Sequence, residues 1–268
     1  VNIRFVVRGL LLAVPLAVLI SAGWIFFQTP LGRPLDPTPP APTIIAPVGE
    51  MPAGPVGLQE WAQYWGEDYA PVGSGFLFSL AEGGIVGATA AHSVRVGSPD
   101  HPLQRIALGV AGRAGFVAEF DTLRGQPGRS LTPDNLAVDY LLLEGNVPIE
   151  PGSVLVPDPR GAPQPGERVA LYSGLGDGRG GSSILEGTVQ SVDDNAIWVL
   201  MDDRFNPGQM SGSPFVSQHT GQVVGMAVAA SVRRTRLLIG AHPIGSLVGL
   251  AESATEFPKM VELAQERE

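Results

Sequence analysis

The sequence predicts an all-β protein, and three observations carry that reading. Only 16% of its 268 residues are charged, while 35 are glycine and 25 are proline, a composition poor in helix formers and rich in turn formers. Short apolar runs recur at regular spacing, separated by Gly, Pro, Asn or Asp. No long helical periodicity separates these runs, so the strands form a barrel or sandwich rather than βαβ units. The length suffices for one large β domain or two small ones, each with its own core.

In chain order, Arg4 and Arg8 precede an uncharged run over 9–27. Nineteen residues at about 1.5 Å each span about 28 Å, close to a bilayer's hydrocarbon thickness. The run reads as a transmembrane signal anchor behind a short cytoplasmic tip. Arginines on its near side place the N-terminus in the cytoplasm and the remainder outside it, periplasmic or extracellular. Trp24 suits the far interface. The competing reading is a cleaved signal peptide ending at Ser21-Ala22-Gly23, but the apolar stretch continues through Phe27. Residues 28–57 are Pro-rich and aperiodic, which predicts an extended stalk. The alternative is an ordered arm docked through Ile44-Ile45.

Leu58 to Trp65 carries spaced aromatics that predict a short amphipathic helix with Trp61 and Trp65 on one face. The globular region follows, 58–254 in all. Gly73 to Phe78 and Gly84 to Ala88 form a predicted hairpin. Further strands are predicted at 105–111, 115–120, 136–143, 167–172, 185–192, 197–201 and 222–229, with Asp193-Asp194-Asn195 as a turn. The Pro- and Gly-rich segment 144–166 divides two β halves, about 72–147 and 166–245. Helices are predicted at 246–254 and, as a polar tail, within 255–268.

Charge and composition exclude several functions. The net charge of −9 and pI near 4.9 oppose nucleic-acid binding, which needs clustered cations. Arg233, Arg234 and Arg236 are the one dense basic patch and read as a solvated hairpin, with an acidic partner as the alternative. Cysteine is absent, which rules out disulfides, thiolate metal sites and a cysteine nucleophile. His92, His101, His219 and His242 lack metal-ligand spacing. No metal and no cofactor is expected.

One arrangement carries chemistry. Ser211 lies in Pro207-Gly208-Gln209-Met210-Ser211-Gly212-Ser213-Pro214, a glycine-containing turn entering the apolar Phe215-Val216. His92 ends an apolar run in Thr89-Ala90-Ala91-His92-Ser93. Asp139 sits in Leu136-Ala137-Val138-Asp139-Tyr140-Leu141-Leu142-Leu143, where a carboxylate needs a partner. A hydroxyl is a weak nucleophile until a base takes its proton, and an anion orients that base. Thus Asp139 would fix the imidazole, His92 would shuttle the proton and Ser211 would attack a carbonyl.

These motifs, in the order His, Asp, Ser, resemble the signature of chymotrypsin-fold (trypsin-like) serine proteases over about residues 73–249. Gly73-Ser74-Gly75-Phe76-Leu77-Phe78, Gly221-Gln222-Val223-Val224-Gly225-Met226 and Ile239-Gly240-Ala241-His242-Pro243-Ile244 add to the likeness, the last being similar to bacterial Deg-type proteases. The resemblance is to cysteine-free members without a PDZ domain. It implies two six-stranded antiparallel barrels with the site in the cleft between them, an oxyanion hole from the backbone N–H groups of Gln209 and Ser211, and a specificity pocket around Phe205, Ala227 and Ala229 that suits a small or medium apolar side chain. Asp202 and Asp203 lie near that pocket in sequence.

The sequence also departs from the family. Gln209 stands where the family has glycine, which puts oxyanion geometry in question. Met210 replaces the aspartate that pairs with a new N-terminus in trypsin, and Ser93 replaces a disulfide cysteine. Ser213 is a rival nucleophile, and Asp121 and Asp134 are rivals to Asp139. The expected function is a membrane-anchored extracytoplasmic serine endopeptidase acting on protein or peptide substrates. The alternatives are a catalytically degenerate fold serving as a binding or scaffold module, and an esterase.

Overall fold

The computed structural model describes residues 37–131, 135–145, 152–175, 183–233 and 235–264. The apolar run 9–27, Arg234 and Asp134 lie outside them. Among the described residues no helix is long and apolar enough to cross a membrane.

The protein is all-β. Its first half contains β1 (Leu58–Tyr64), β2 (Ala70–Ser79), β3 (Ile85–Thr89), β4 (Leu103–Gly109), β5 (Ala118–Phe120), β6 (Thr122–Leu123), β7 (Leu141–Glu144) and β8 (Val154–Leu155). They make one eight-stranded sheet in the order β5-β4-β1-β2-β3-β7-β6, with β8 parallel to β2. Six strands were expected; the two extra ones, β6 and β8, are two residues long each. The second half is a closed six-stranded barrel, β10-β11-β14-β13-β12-β9. Its strands are β9 (Arg168–Ser173), β10 (Ser183–Asp193), β11 (Ala196–Met201), β12 (Pro214–Ser217), β13 (Val223–Arg233) and β14 (Arg236–Pro243). Helix α1 (Ile244–Ser253) follows. Both sheets belong to one compact unit.

Strand alternation explains why several apolar runs are continuous rather than half polar. On β2, Leu77 faces the first sheet's own core with Leu58, Leu103, Ile106 and Leu141, while Phe76 and Phe78 face a core shared between the halves. On β9, Val169 and Leu171 fill the second barrel, while Ala170 and Tyr172 join that shared core. Met226 and Val228 of β13 and Ile244 and Leu247 of α1 complete it. Successive side chains point to opposite faces, and here both faces are buried, so each strand reads as uninterrupted hydrophobe. Full burial of each such side chain is worth roughly 1.5–3 kcal/mol.

Three expected secondary-structure elements are corrected. Residues 58–64 are a strand, not a helix: Leu58, Glu60 and Ala62 point inward at period two, and β1 pairs with both β2 and β4. Aromatics four residues apart fit either a helix or a strand face, so the spacing of Trp61 and Trp65 did not decide between them. The segment 136–143 is strand only from Leu141; Asp139 lies in the turn before it. The tail is extended over 254–258, with one 3-10 turn at Glu262–Ala264. It is held this way because edge N–H groups need acceptors: Leu123 and Gly125 donate to the carbonyls of Pro258 and Glu256, and Met260 donates back to Asp121.

From residue 37 the Pro-rich segment is an ordered arm on the second barrel rather than a free stalk. Gly49 donates to the His219 carbonyl at 2.9 Å, His219 Nε2 meets the Ala46 carbonyl at 2.9 Å, and the Tyr172 hydroxyl donates to the Pro52 carbonyl. The arm approaches backbone to backbone. A Cβ on Gly221, which has φ +67°, would stand 2.0 Å from the Glu50 carbonyl oxygen, so only glycine fits there. Ile45 is exposed, so backbone contacts rather than that side chain seat the arm.

The inter-barrel connection is pinned by a buried ion cluster that no local sequence pattern singles out. The Arg160 guanidinium bonds both oxygens of Asp158 and both of Glu167. Thr220 Oγ1 donates to Asp158 and Ser217 Oγ to Glu167. Burial works to raise the Asp158 carboxyl, but the hydrogen bonds from Arg160 and Thr220 outweigh it and hold it below its ordinary value. That contribution to stability is present above the unfolded-state pKa and is lost as pH falls through the lower folded value. Arg160→Met should therefore cost about 3–5 kcal/mol in denaturant unfolding at neutral pH, because it strands two buried carboxylates. An unchanged midpoint would contradict this role.

Candidate active site

Strand pairing brings the first two candidate residues together. β3 and β7 are antiparallel partners with Thr89 opposite Leu141. His92 follows Thr89 in a 3-10 turn, Ala91–Ser93, and Asp139 precedes Leu141 by two residues, so both emerge at the same end of the pair. Asp139 is fully buried. Its Oδ1 accepts the His92 backbone N–H at 3.0 Å. Its Oδ2 lies 2.6 Å from His92 Nδ1 and also accepts the Leu131 N–H at 3.2 Å. Each Asp139 oxygen already accepts a backbone N–H, and an ionised carboxylate can only accept, so opposite it Nδ1 is the donor and Nε2 is left as the acceptor. Nε2 lies 2.8 Å from Ser211 Oγ. The three residues singled out in the sequence thus form one continuous hydrogen-bonded line.

The loop carrying Ser211 is held from both halves. Ser74 of β2 donates its N–H to the Ser211 carbonyl at 3.0 Å and its hydroxyl to the Gln209 carbonyl at 3.0 Å. Gly212 donates to the Ala227 carbonyl at 2.7 Å, and Ala227 donates to the Ser213 carbonyl at 2.8 Å. Gly212 has φ +93°, and a Cβ there would lie 1.8 Å from the Ser74 oxygen. The glycine of Ser-Gly-Ser is therefore dictated by close approach of β2. Gln209 has φ +63° and is the one non-glycine residue with positive φ among the described residues. It takes up the left-handed conformation that glycine would adopt without strain. No acceptor among the described residues takes the N–H of Gln209 or of Ser211.

The rival residues are placed elsewhere. Ser213 is fully buried and its Oγ has no hydrogen-bond partner among the described residues. Asp121 pairs with Thr122 and Lys259 at the surface. His242 is buried, its ring edge-on to Tyr140 with centroids 5.7 Å apart. Burial holds the His242 ring below the ordinary histidine pKa, so it packs as a neutral core group. Around the expected specificity pocket, Ala227 is buried and Ala229 half-buried on β13, with a register shift between them. Phe205 and Met210 pack against the second barrel's core. Asp202 is engaged by Arg168 at 2.6 Å.

Sequence reasoning missed two residues behind the site. Ser74 is legible in the sequence only as part of a hairpin, yet it holds the loop carrying Ser211 through two bonds. Glu60 is fully buried on β1 with Oε2 2.8 Å from Thr89 Oγ1, and burial pushes its carboxyl up to about 8. A glutamate at an inward position of a period-two pattern was the available signal, hidden by reading that stretch as a helix.

No protein-family model matches the sequence, and no curated protein matches it. Solved structures do. An HtrA-type protease with a tripeptide superposes with a TM-score of 0.50 at 16% identity, covering 75% of this chain and 60% of that one. Kallikrein-related peptidase 10 gives 0.50 at 16%, covering 75% and 95%. The serine endoprotease from Yersinia pestis gives 0.49 at 16%, covering 75% and 65%. The chain therefore spans less than two thirds of the length of the HtrA-type and Yersinia pestis chains. At these identities the likeness is one of fold, and the chain has the chymotrypsin-like fold shared by HtrA/Deg and trypsin-like serine proteases.

Proposed function

We propose that this chain is a serine endopeptidase that cleaves peptide bonds through Ser211, His92 and Asp139. The observation that carries the reading is the position of the His92 ring, 2.6 Å from Asp139 on one side and 2.8 Å from Ser211 Oγ on the other. As Ser211 Oγ bonds to the substrate carbonyl carbon, its proton passes to His92 Nε2. The imidazolium so formed is stabilised by Asp139, then delivers that proton to the departing amine as the C–N bond breaks, leaving an acyl-enzyme. Water, deprotonated by the same nitrogen, releases the acid and restores Ser211. The N–H groups of Gln209 and Ser211 are the donors assigned to the developing oxyanion, each worth about 3 kcal/mol in such sites. Phe205, Ala227 and Ala229 remain the assigned specificity region, suited to a small or medium apolar side chain.

The run 9–27 extends the proposal to a membrane-anchored enzyme with its barrels outside the cytoplasm. Fusing an alkaline phosphatase reporter after residue 57 tests this, with activity expected only if that point is exported. Absence of reporter activity from an expressed fusion would refute the topology.

The binding-module reading is favoured by one observation, the left-handed Gln209. Cleavage of an unstructured protein substrate by the full chain separates the two. The enzyme reading predicts turnover that falls about 10⁴-fold or more in Ser211→Ala and His92→Ala and about 10⁴-fold in Asp139→Asn. A folded chain without turnover supports the binding module. Gln209→Gly should raise stability by about 1 kcal/mol through release of left-handed strain while keeping turnover; loss of turnover would show that the glutamine side chain is itself needed.

A further inference from the structure

Thr89 Oγ1 is 2.8 Å from two oxygens at once, Glu60 Oε2 and the Ser74 carbonyl. A hydroxyl has one proton to donate, and a peptide carbonyl can only accept. If Thr89 donates to Ser74, the contact with Glu60 requires the glutamate to be the donor, and hence protonated. The relay then runs from Glu60 Oε2–H to Thr89 Oγ1–H to the carbonyl of Ser74, the residue whose N–H and hydroxyl hold the Ser211 and Gln209 carbonyls.

We propose that Glu60, in its neutral acid form, is a positioning residue for the nucleophile loop, acting through Thr89 and Ser74 on the turn that carries Gln209 and Ser211. The proposal rests on the protease reading above. Ionised Glu60 would draw the Thr89 proton to itself and leave the Ser74 carbonyl facing an oxygen lone pair. It would also leave a buried charge whose Oε1 has no partner among the described residues. Burial pushes this carboxyl up to about 8, so the neutral form prevails at neutral pH.

Among the described residues no cation compensates Glu60. Ser93 Oγ borders the same position beside Gly73. Tyr64, on the same strand, has its phenol raised chiefly by burial, with Arg95, Glu60 and Glu67 nearby. Arg105 on β4 is exposed and faces Glu119, and His92 and Asp139 are committed to each other.

Two measurements on the full chain test this. The first is independent of activity: the infrared difference between wild type and Glu60→Gln should show a protonated-carboxyl C=O band at pH 7 that disappears at alkaline pH. Absence of that band overturns the proposal whether or not the chain is a protease. The second is the rate of fluorophosphonate labelling against pH. The wild-type rate should fall at least about tenfold between about pH 7 and pH 9.5 as Glu60 ionises. Glu60→Gln, whose amide donates to Thr89 at every pH, should show no such fall. Glu60→Leu, which donates nothing, should label slowly across the range while remaining folded by circular dichroism. A shared alkaline fall in wild type and Glu60→Gln, or rapid labelling of Glu60→Leu, overturns the positioning role. If the band is present but nothing labels at any pH, the protease reading fails and the positioning role falls with it, while the protonation of Glu60 stands.

Discussion

The site depends on one constraint, the close approach of β2 to the loop around Ser211. Ser74 reaches across the cleft and fixes that loop by its N–H and its hydroxyl, and the approach is so tight that residue 212 has no room for a side chain. Apart from the bond between His92 Nε2 and Ser211 Oγ, everything else that aligns the three candidate residues is local to one half. β3 and β7 present His92 and Asp139 as a rigid pair, and β13 presents the Ala227 backbone to the far side of the loop. The Ser74 contacts tie the backbone of the serine's loop to the half that carries the histidine. The shared core beneath, with Phe76 and Phe78 on the same strand as Ser74, makes that approach stiff, since close-packed interiors transmit displacement rather than absorb it.

The arm and the tail serve the same stiffness from outside. Residues 37–57 cover the second barrel through main-chain contacts, and the tail caps the β6 edge of the first sheet. The ion cluster of Asp158, Arg160 and Glu167 anchors the connection between the halves with its charges paired and hydrogen-bonded, the condition under which buried charge is tolerable. A sequence so poor in charge places several of its charges where they hold loops.

Much of the fold was legible because the strands are short, apolar and punctuated by glycine. The β2–β3 hairpin, the Asp193-Asp194-Asn195 turn and β9, β10, β11 and β13 of the second barrel are visible as local pattern, whereas β14 is not. His92, Asp139 and Ser211 were visible because each sits in a short motif. What failed was decided by non-local partners. β1 looked helical because its aromatics are four apart, and only its pairing with β2 and β4 makes it a strand. The tail looked helical because nothing in its sequence announces the exposed edge it covers. The arm looked like a stalk because proline-rich sequence carries no sign of the glycine at 221 that lets it dock. Glu60 was missed for the same reason as β1. Its burial follows from strand parity, and its contact with Thr89 joins residues far apart in sequence.

We propose that the line from Asp139 through His92 makes Ser211, and not Ser213 two residues on, the reactive hydroxyl. Peptide mapping by mass spectrometry after exposure of the full chain to a fluorophosphonate tests it most directly. A single adduct on Ser211, absent after heat denaturation before exposure, is the predicted result. An adduct on Ser213, or a folded chain that carries none, would contradict it.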